Sequence, residues 1–183
     1  YNLLDRNKLN FNKINLRNAK ISFDLSKLKE YKNFFTKKLN SKNINLKKSE
    51  IIFYDDNKNI ATINDVNLKY KFDIDNIEAN LKGIFLNDKI YIDFKNKKND
   101  VNSPKVIVLK LLDSKLYTKI EIFDSESDQA TTSGNISFKK NQNKISGIFD
   151  YRNNKIFVKH ANLRSGFLDG KINGLVELLP YFN

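Results

Sequence analysis

The stretch Val66-Asn67-Leu68-Lys69-Tyr70-Lys71-Phe72-Asp73-Ile74 alternates without a break. Val66, Leu68, Tyr70, Phe72 and Ile74 fall on one side of an extended chain; Asn67, Lys69, Lys71 and Asp73 fall on the other. Strand side chains point to opposite faces with a period of two, so the stretch predicts a strand with one apolar and one wetted surface. Before it, Ile51-Ile52-Phe53-Tyr54 reads as a second strand, and Asp55-Asp56-Asn57-Lys58-Asn59 as the turn between them. This strand-turn-strand unit, from Ile44 to Ile74, is what most of the chain repeats.

Further strands are expected over Ile77 to Phe85, Lys89 to Phe94, Lys105 to Leu112 and Leu116 to Phe123. Others follow over Gly134 to Lys139, Lys144 to Tyr151, Lys155 to Lys159 and Lys171 to Leu178. Short links rich in Asn, Asp, Ser and Lys join them, as in Asn87-Asp88 and Arg152-Asn153-Asn154. Such links make hairpins, whereas parallel pairing needs crossovers of a dozen or more residues, for which there is almost no room. Two longer connections, Asn96 to Pro104 and Asp124 to Ser133, read as surface loops. Upstream, Phe11 to Phe23 carries a strand signal. The period then changes: Leu28, Tyr31, Phe35 and Leu39 fall three or four apart, the stripe of an amphipathic helix. The fold expected is mainly β: a long antiparallel meander curled into a groove or open barrel, with one amphipathic helix near residues 25-39. A sheet of roughly ten or more strands does not stay flat; it curls, splits or closes.

The 183 residues carry no Met and no Cys. Tyr1 is therefore not expected to be the translated start, and residues 1-183 are read as a single β-rich segment of a longer protein. Disulfides, thiolate metal sites and Cys nucleophiles are excluded. Apolar runs such as Val106-Ile107-Val108-Leu109 are far shorter than the ~20 residues a membrane helix needs. The net charge of +12 comes almost entirely from Lys, dispersed over the polar sides of strands and in turns. It reads as a solvated surface rather than as a nucleic-acid footprint, for which Lys or Arg and aromatics would interleave on one face.

No catalytic constellation emerges. His160 is the one histidine, with no nucleophile-elbow motif near it. The run Asp124-Ser125-Glu126-Ser127-Asp128 spaces acids as a calcium loop does, but Gln129 stands where the turn-making Gly belongs and Asn135 where the closing Glu belongs. Gly147, Gly166, Gly170 and Gly174 have no phosphate-cradling spacing. No catalytic, metal or cofactor residue is assigned, and the reading is non-enzymatic. What the sequence does carry is a surplus of apolar strand faces, with aromatics such as Phe94, Tyr117, Phe138 and Phe149 and one helix to cover them. An apolar concave surface left open is a ligand or lipid site. The alternative is a closed β-sandwich, as in a binding or adhesion module of the cell surface.

The segment Ile44-Asn45-Leu46-Lys47-Lys48-Ser49-Glu50-Ile51-Ile52-Phe53-Tyr54-Asp55, followed by Ile63-Asn64-Asp65-Val66-Asn67-Leu68, resembles the recurring unit of AsmA-like proteins. Asp24-Leu25-Ser26-Lys27-Leu28, the Gly83 strand, Pro104, Gly134-Asn135-Ile136-Ser137-Phe138 and Asp169-Gly170-Lys171-Ile172-Asn173-Gly174 sit in the order of that family. The resemblance spans about Leu16 to Phe182 and rests on strand-and-turn patterns. It implies a periplasmic segment of a bacterial envelope protein, anchored in the inner membrane by a part outside this chain. It further implies a groove that shields phospholipid acyl chains and supports outer-membrane assembly, with other envelope proteins as partners and no nucleic acid. From the alternation, the groove-lining candidates are Val66, Leu68, Tyr70, Phe72 and Ile74, with Tyr91 or its neighbours Ile90 and Ile92.

Overall fold

The structure, a computed structural model, describes residues 9–11, 13–27, 30–31, 39–41, 43–55, 57–73, 75–97, 100, 103–123, 132–152 and 155–177. Fourteen strands run in chain order among them. The first five are β1 (Leu9–Phe11), β2 (Ile14–Arg17), β3 (Lys20–Asp24), β4 (Leu39–Ser41) and β5 (Asn43–Asp55). Then come β6 (Lys58–Phe72), β7 (Asn76–Phe85), β8 (Asp88–Lys97), β9 (Lys105–Leu111) and β10 (Leu116–Phe123). The last are β11 (Thr132–Lys140), β12 (Asn143–Arg152), β13 (Lys155–Arg164) and β14 (Asp169–Glu177).

Twelve of these form one sheet that is not closed into a barrel. From β5 to β14 every strand pairs antiparallel with the next. That is the meander expected from short polar links. The N-terminal edge differs. β2 and β3 pair in parallel with β5, and β1 pairs in parallel with β4. The register offset is the same in all three, Leu9 with Leu39, Ile14 with Ile44 and Lys20 with Glu50. The antiparallel meander expected from Ile44 onward is what the structure shows; the parallel edge lies upstream of it, in the segment whose strand signal carried no pairing. Residues 25–38 supply the crossover length that a parallel pair requires.

The helix expected near residues 25-39 falls largely outside the described residues. Leu25–Lys27 is a 3-10 turn, Glu30 and Tyr31 are helical, and Leu39 belongs to β4; residues 28–29 and 32–38 lie outside the described residues. The Asp24 carboxylate accepts the Ser26 backbone N–H at 3.0 Å and its hydroxyl at 2.6 Å. That local turn chemistry ends β3. The Asp124 to Ser133 loop falls largely outside the described residues, and the other long loop is shorter than expected because β8 continues to Lys97.

A line of irregularities crosses the first strands. Asn18, Lys48 and Asp65 have positive φ of 54°, 48° and 48°, and the β5–β6 and β6–β7 registers shift beside the last two. Bulges of this kind bend a strand and raise its twist. The Ser49 hydroxyl bridges the break by accepting the Ala19 N–H at 3.2 Å and donating to the Lys47 carbonyl at 3.0 Å. Gly83 sits against the Asp65 bulge: a Cβ there would stand 2.8 Å from the Asn64 carbonyl oxygen and 2.9 Å from Ile63 Cγ2. Only a residue without a side chain admits that approach.

The core lies where the bent strands curl inward. Leu46, Ile51, Ile63, Val66 and Ile90 are buried together, and Phe23, Phe53, Leu81, Phe85 and Leu109 pack around them. Val66 is fully buried. Tyr31 meets Phe23 edge-on at 5.4 Å, and Phe23 stacks on Phe53 at 5.9 Å.

Two turns on one edge are tied by Asp88. Its carboxylate accepts the backbone N–H groups of Asp113 and Ser114 at 2.8 and 2.9 Å. The Ser114 side chain, ahead of these N–H groups, holds the carboxyl below the ordinary carboxylate range. A carboxyl depressed in the folded state stabilises the fold above its unfolded pKa, and that contribution is lost as pH falls through the folded pKa. Thermal denaturation is therefore expected to show Asp88→Asn destabilised against the parent at neutral pH. The gap should narrow from about pH 4 downward.

Candidate apolar groove

Register carries the alternation of each strand onto its neighbours, so the apolar residues assemble into one face. Leu46 stands across from Leu68, Leu68 from Leu81, Leu81 from Ile92, and Ile92 from Leu109. Farther along, Ile107 pairs with Ile120, Ile120 with Ile136, Phe138 with Ile145, and Ile145 with Leu163. The face thus runs without interruption from β2 to β14.

Its two halves differ in packing. Toward the N-terminus it closes into the core around Val66. Across β9 to β14 only Gly134 and Ala161 are buried among the described residues. Ile107, Ile120, Ile136, Phe138, Phe149 and Leu163 are half-buried, and Ile172 is exposed. A sandwich interior would bury these side chains; no second large sheet faces them among the described residues. Small residues let this half bend. The Phe149 ring lies over Gly134, where a Cβ would fall 2.7 Å from a ring carbon, and a Cβ on Gly147 would meet Ala161 Cβ at 2.8 Å. The β12–β13 and β13–β14 registers shift close by.

The groove-lining candidates divide accordingly. Val66, Leu68, Tyr70 and Phe72 share the apolar face, as their parity predicts. Val66, however, is core, and Leu68 packs against that core. Tyr70 is half-buried, and burial raises its phenol above the ordinary value. Phe72 is exposed at the strand end, and Ile74 lies outside the described residues. Tyr91 is on the opposite face. It stands across from Lys82 and Lys110, and Asn80 Nδ2 donates to its hydroxyl at 2.5 Å. Its neighbours Ile90 and Ile92 occupy the apolar face instead, because Ile90, Ile92 and Phe94 share one parity while Tyr91, Asp93 and Lys95 share the other. The open residues of β9 to β14 were missed as lining, although each strand carries the same alternation.

The opposite face is polar and patterned. Lys82, Tyr91, Lys110, Tyr117, Lys139, Lys144 and Arg164 stand side by side across seven strands. The Lys82 and Lys110 ammonium groups lie 5.7 and 5.6 Å from the Tyr91 ring centre, and Lys110 lies 5.8 Å from that of Tyr117, within cation–π range. Basic residues and aromatics therefore do interleave over part of this face, against the expectation of dispersed Lys opposing the aromatics. The neighbouring acids are engaged elsewhere: Glu121 with Lys119 and Asp150 with Lys159, both at 2.6 Å. These lysine contacts come first in holding both carboxyls below the ordinary range.

His160 is exposed on β13. No cluster of three or more metal-ligating side chains occurs among the described residues, and no described helix is long and apolar enough to cross a membrane. No protein-family model, curated protein or solved structure matches the chain.

Proposed function

We propose that this chain is a non-enzymatic lipid-shielding segment of AsmA-like type, whose open apolar face receives phospholipid acyl chains. One observation carries the reading: an apolar face continuous from β2 to β14, packed shut at one end and, among the described residues, uncovered by a second sheet across β9 to β14. From β9 to β14 there are five strand spacings, a path of roughly 24 Å at about 4.8 Å each. A leaflet's acyl chains span about half of a ~30 Å hydrocarbon core, so a chain lying across the strands fits. Each methylene withdrawn from water contributes about 0.8 kcal/mol. Charged head groups stay at the rim, where water and Lys side chains meet them. The proposal extends to a periplasmic location, an inner-membrane anchor outside this chain, and a contribution to outer-membrane assembly with other envelope proteins.

Native mass spectrometry of the protein, purified without detergent from a host with phospholipid membranes, tests this. The expected spectrum contains adducts with the masses of two-chain phospholipids. A folded protein free of lipid would overturn the reading and favour a closed binding module.

A further inference from the structure

Alternate turns of an antiparallel meander fall on one edge of the sheet. Four lie together here: Leu86-Asn87 between β7 and β8, Leu112 to Lys115 between β9 and β10, Asn141-Gln142 between β11 and β12, and Ser165 to Leu168 between β13 and β14. Three of the four present apolar side chains where turn chemistry favours Asn, Asp and Gly, and Asn141-Gln142 is the exception. Phe167 is 103% exposed, Leu86 81%, Leu168 60% and Leu112 53%. Leu86 also holds a φ of 50°, a left-handed conformation that costs a bulky side chain energy. Neither burial nor local geometry accounts for Leu at that position.

Behind these tips runs the basic row. Lys82, Lys110, Lys139, Lys144 and Arg164 make no ion pair among the described residues. The row passes between two hollows. One, of about 540 Å³, is lined by Lys82, Tyr91 and Lys110 with Ile84 and Leu112; the other, of about 600 Å³, is lined by Lys144, Arg164 and Lys171 with Asp169. Apolar tips backed by tyrosines and unpaired cations match the layering of a bilayer surface: acyl boundary, interfacial aromatics, anionic phosphate.

We propose that this edge docks the chain onto an anionic phospholipid bilayer. Phe167, Leu168, Leu86 and Leu112 enter the acyl boundary, while the row from Lys82 to Arg164 meets head-group phosphates. A polyanion such as single-stranded nucleic acid would use the row but would leave the apolar tips unexplained, so the membrane is the better occupant. The inference does not depend on the groove being loaded.

The chain has no Trp, so Phe167→Trp places a single reporter at the most exposed tip. Mixing this variant with phosphatidylcholine–phosphatidylglycerol vesicles should shift its emission to the blue, and brominated acyl chains should quench it. Phe123→Trp, at the opposite edge, should show neither response. Flotation should fall roughly tenfold or more for Phe167→Ser with Leu168→Ser, and roughly fivefold per cation for Lys144→Gln with Arg164→Gln. Circular dichroism should remain that of the parent, since these side chains lie at or near exposed turns. The proposal is overturned by unshifted emission from the Phe167→Trp variant, by equal binding to vesicles of phosphatidylcholine alone, or by binding of a single-stranded oligonucleotide in place of vesicles. Failure of the parent chain to float, with co-purified lipid retained, would overturn docking and leave the groove standing.

Discussion

Val66→Asp is expected to abolish the packed end of the sheet, with a loss on the order of 4 kcal/mol or more. Val66 is fully shielded from water and lies within the cluster of Leu46, Ile51, Ile63 and Ile90. A carboxylate there has no partner and no solvent. The variant must take up a proton or open the curl, and either course consumes a large part of a marginal total of about 5–15 kcal/mol. Val66→Ala removes two methyl groups without adding charge and should cost about 2 kcal/mol. Urea unfolding followed by far-UV circular dichroism separates the two. Equal midpoints for Val66→Asp and the parent would mean that water reaches this position and that the curl around it is wrong.

The second large effect is functional. Ile136 stands on the open half of the apolar face, across from Ile120 and Gly147. Ile136→Glu puts a charge on the path proposed for an acyl chain. The chain would have to strip water from that carboxylate to lie against it. Phospholipid occupancy in native mass spectra should drop roughly tenfold or more, at about 1.4 kcal/mol per decade. Because Ile136 is half-buried rather than core, the fold should survive. Ser137→Glu, one residue on and facing the other way, should leave occupancy unchanged. Equal occupancy in both variants would separate lipid from this face.

The alternation that starts at Val66 made most of the strands legible, because a period of two is a local property that each strand carries by itself. Parity within β8 puts Ile90 and Ile92 on one face and Tyr91 on the other, but which of the two continues the Val66 face is decided only by the pairing of β8 with β7. The parallel edge was not legible. It depends on β2 and β3 finding β5 across a crossover, and the apolar spacing of Leu28, Tyr31, Phe35 and Leu39 suits a helix while tertiary pairing draws Leu39 into β4. The bulges at Lys48 and Asp65 were equally hidden, since neither is a Gly that would advertise positive φ.

The cross-strand row needed register as well as pattern. Lys82, Tyr91 and Lys110 are far apart in sequence. They become neighbours only once the Leu86-Asn87 turn and the β8–β9 pairing are fixed. The expected β7–β8 turn at Asn87-Asp88 is displaced by one residue, because Asp88 is drawn into β8 and its carboxylate is spent on the neighbouring turn. Displacing a two-residue turn by one moves the register by two, so Lys82 stands across from Tyr91 rather than Asp93 while every side chain keeps its face.

The central claim is that the apolar face, and not the basic one, holds acyl chains. The most direct test is photocrosslinking from a benzophenone side chain placed at Phe138 or at Ser137, adjacent residues of β11 on opposite faces. In protein carrying its native lipid, phospholipid crosslinks are expected from Phe138 and none from Ser137. Crosslinks from Ser137 alone, or from neither position in a folded protein, would contradict it.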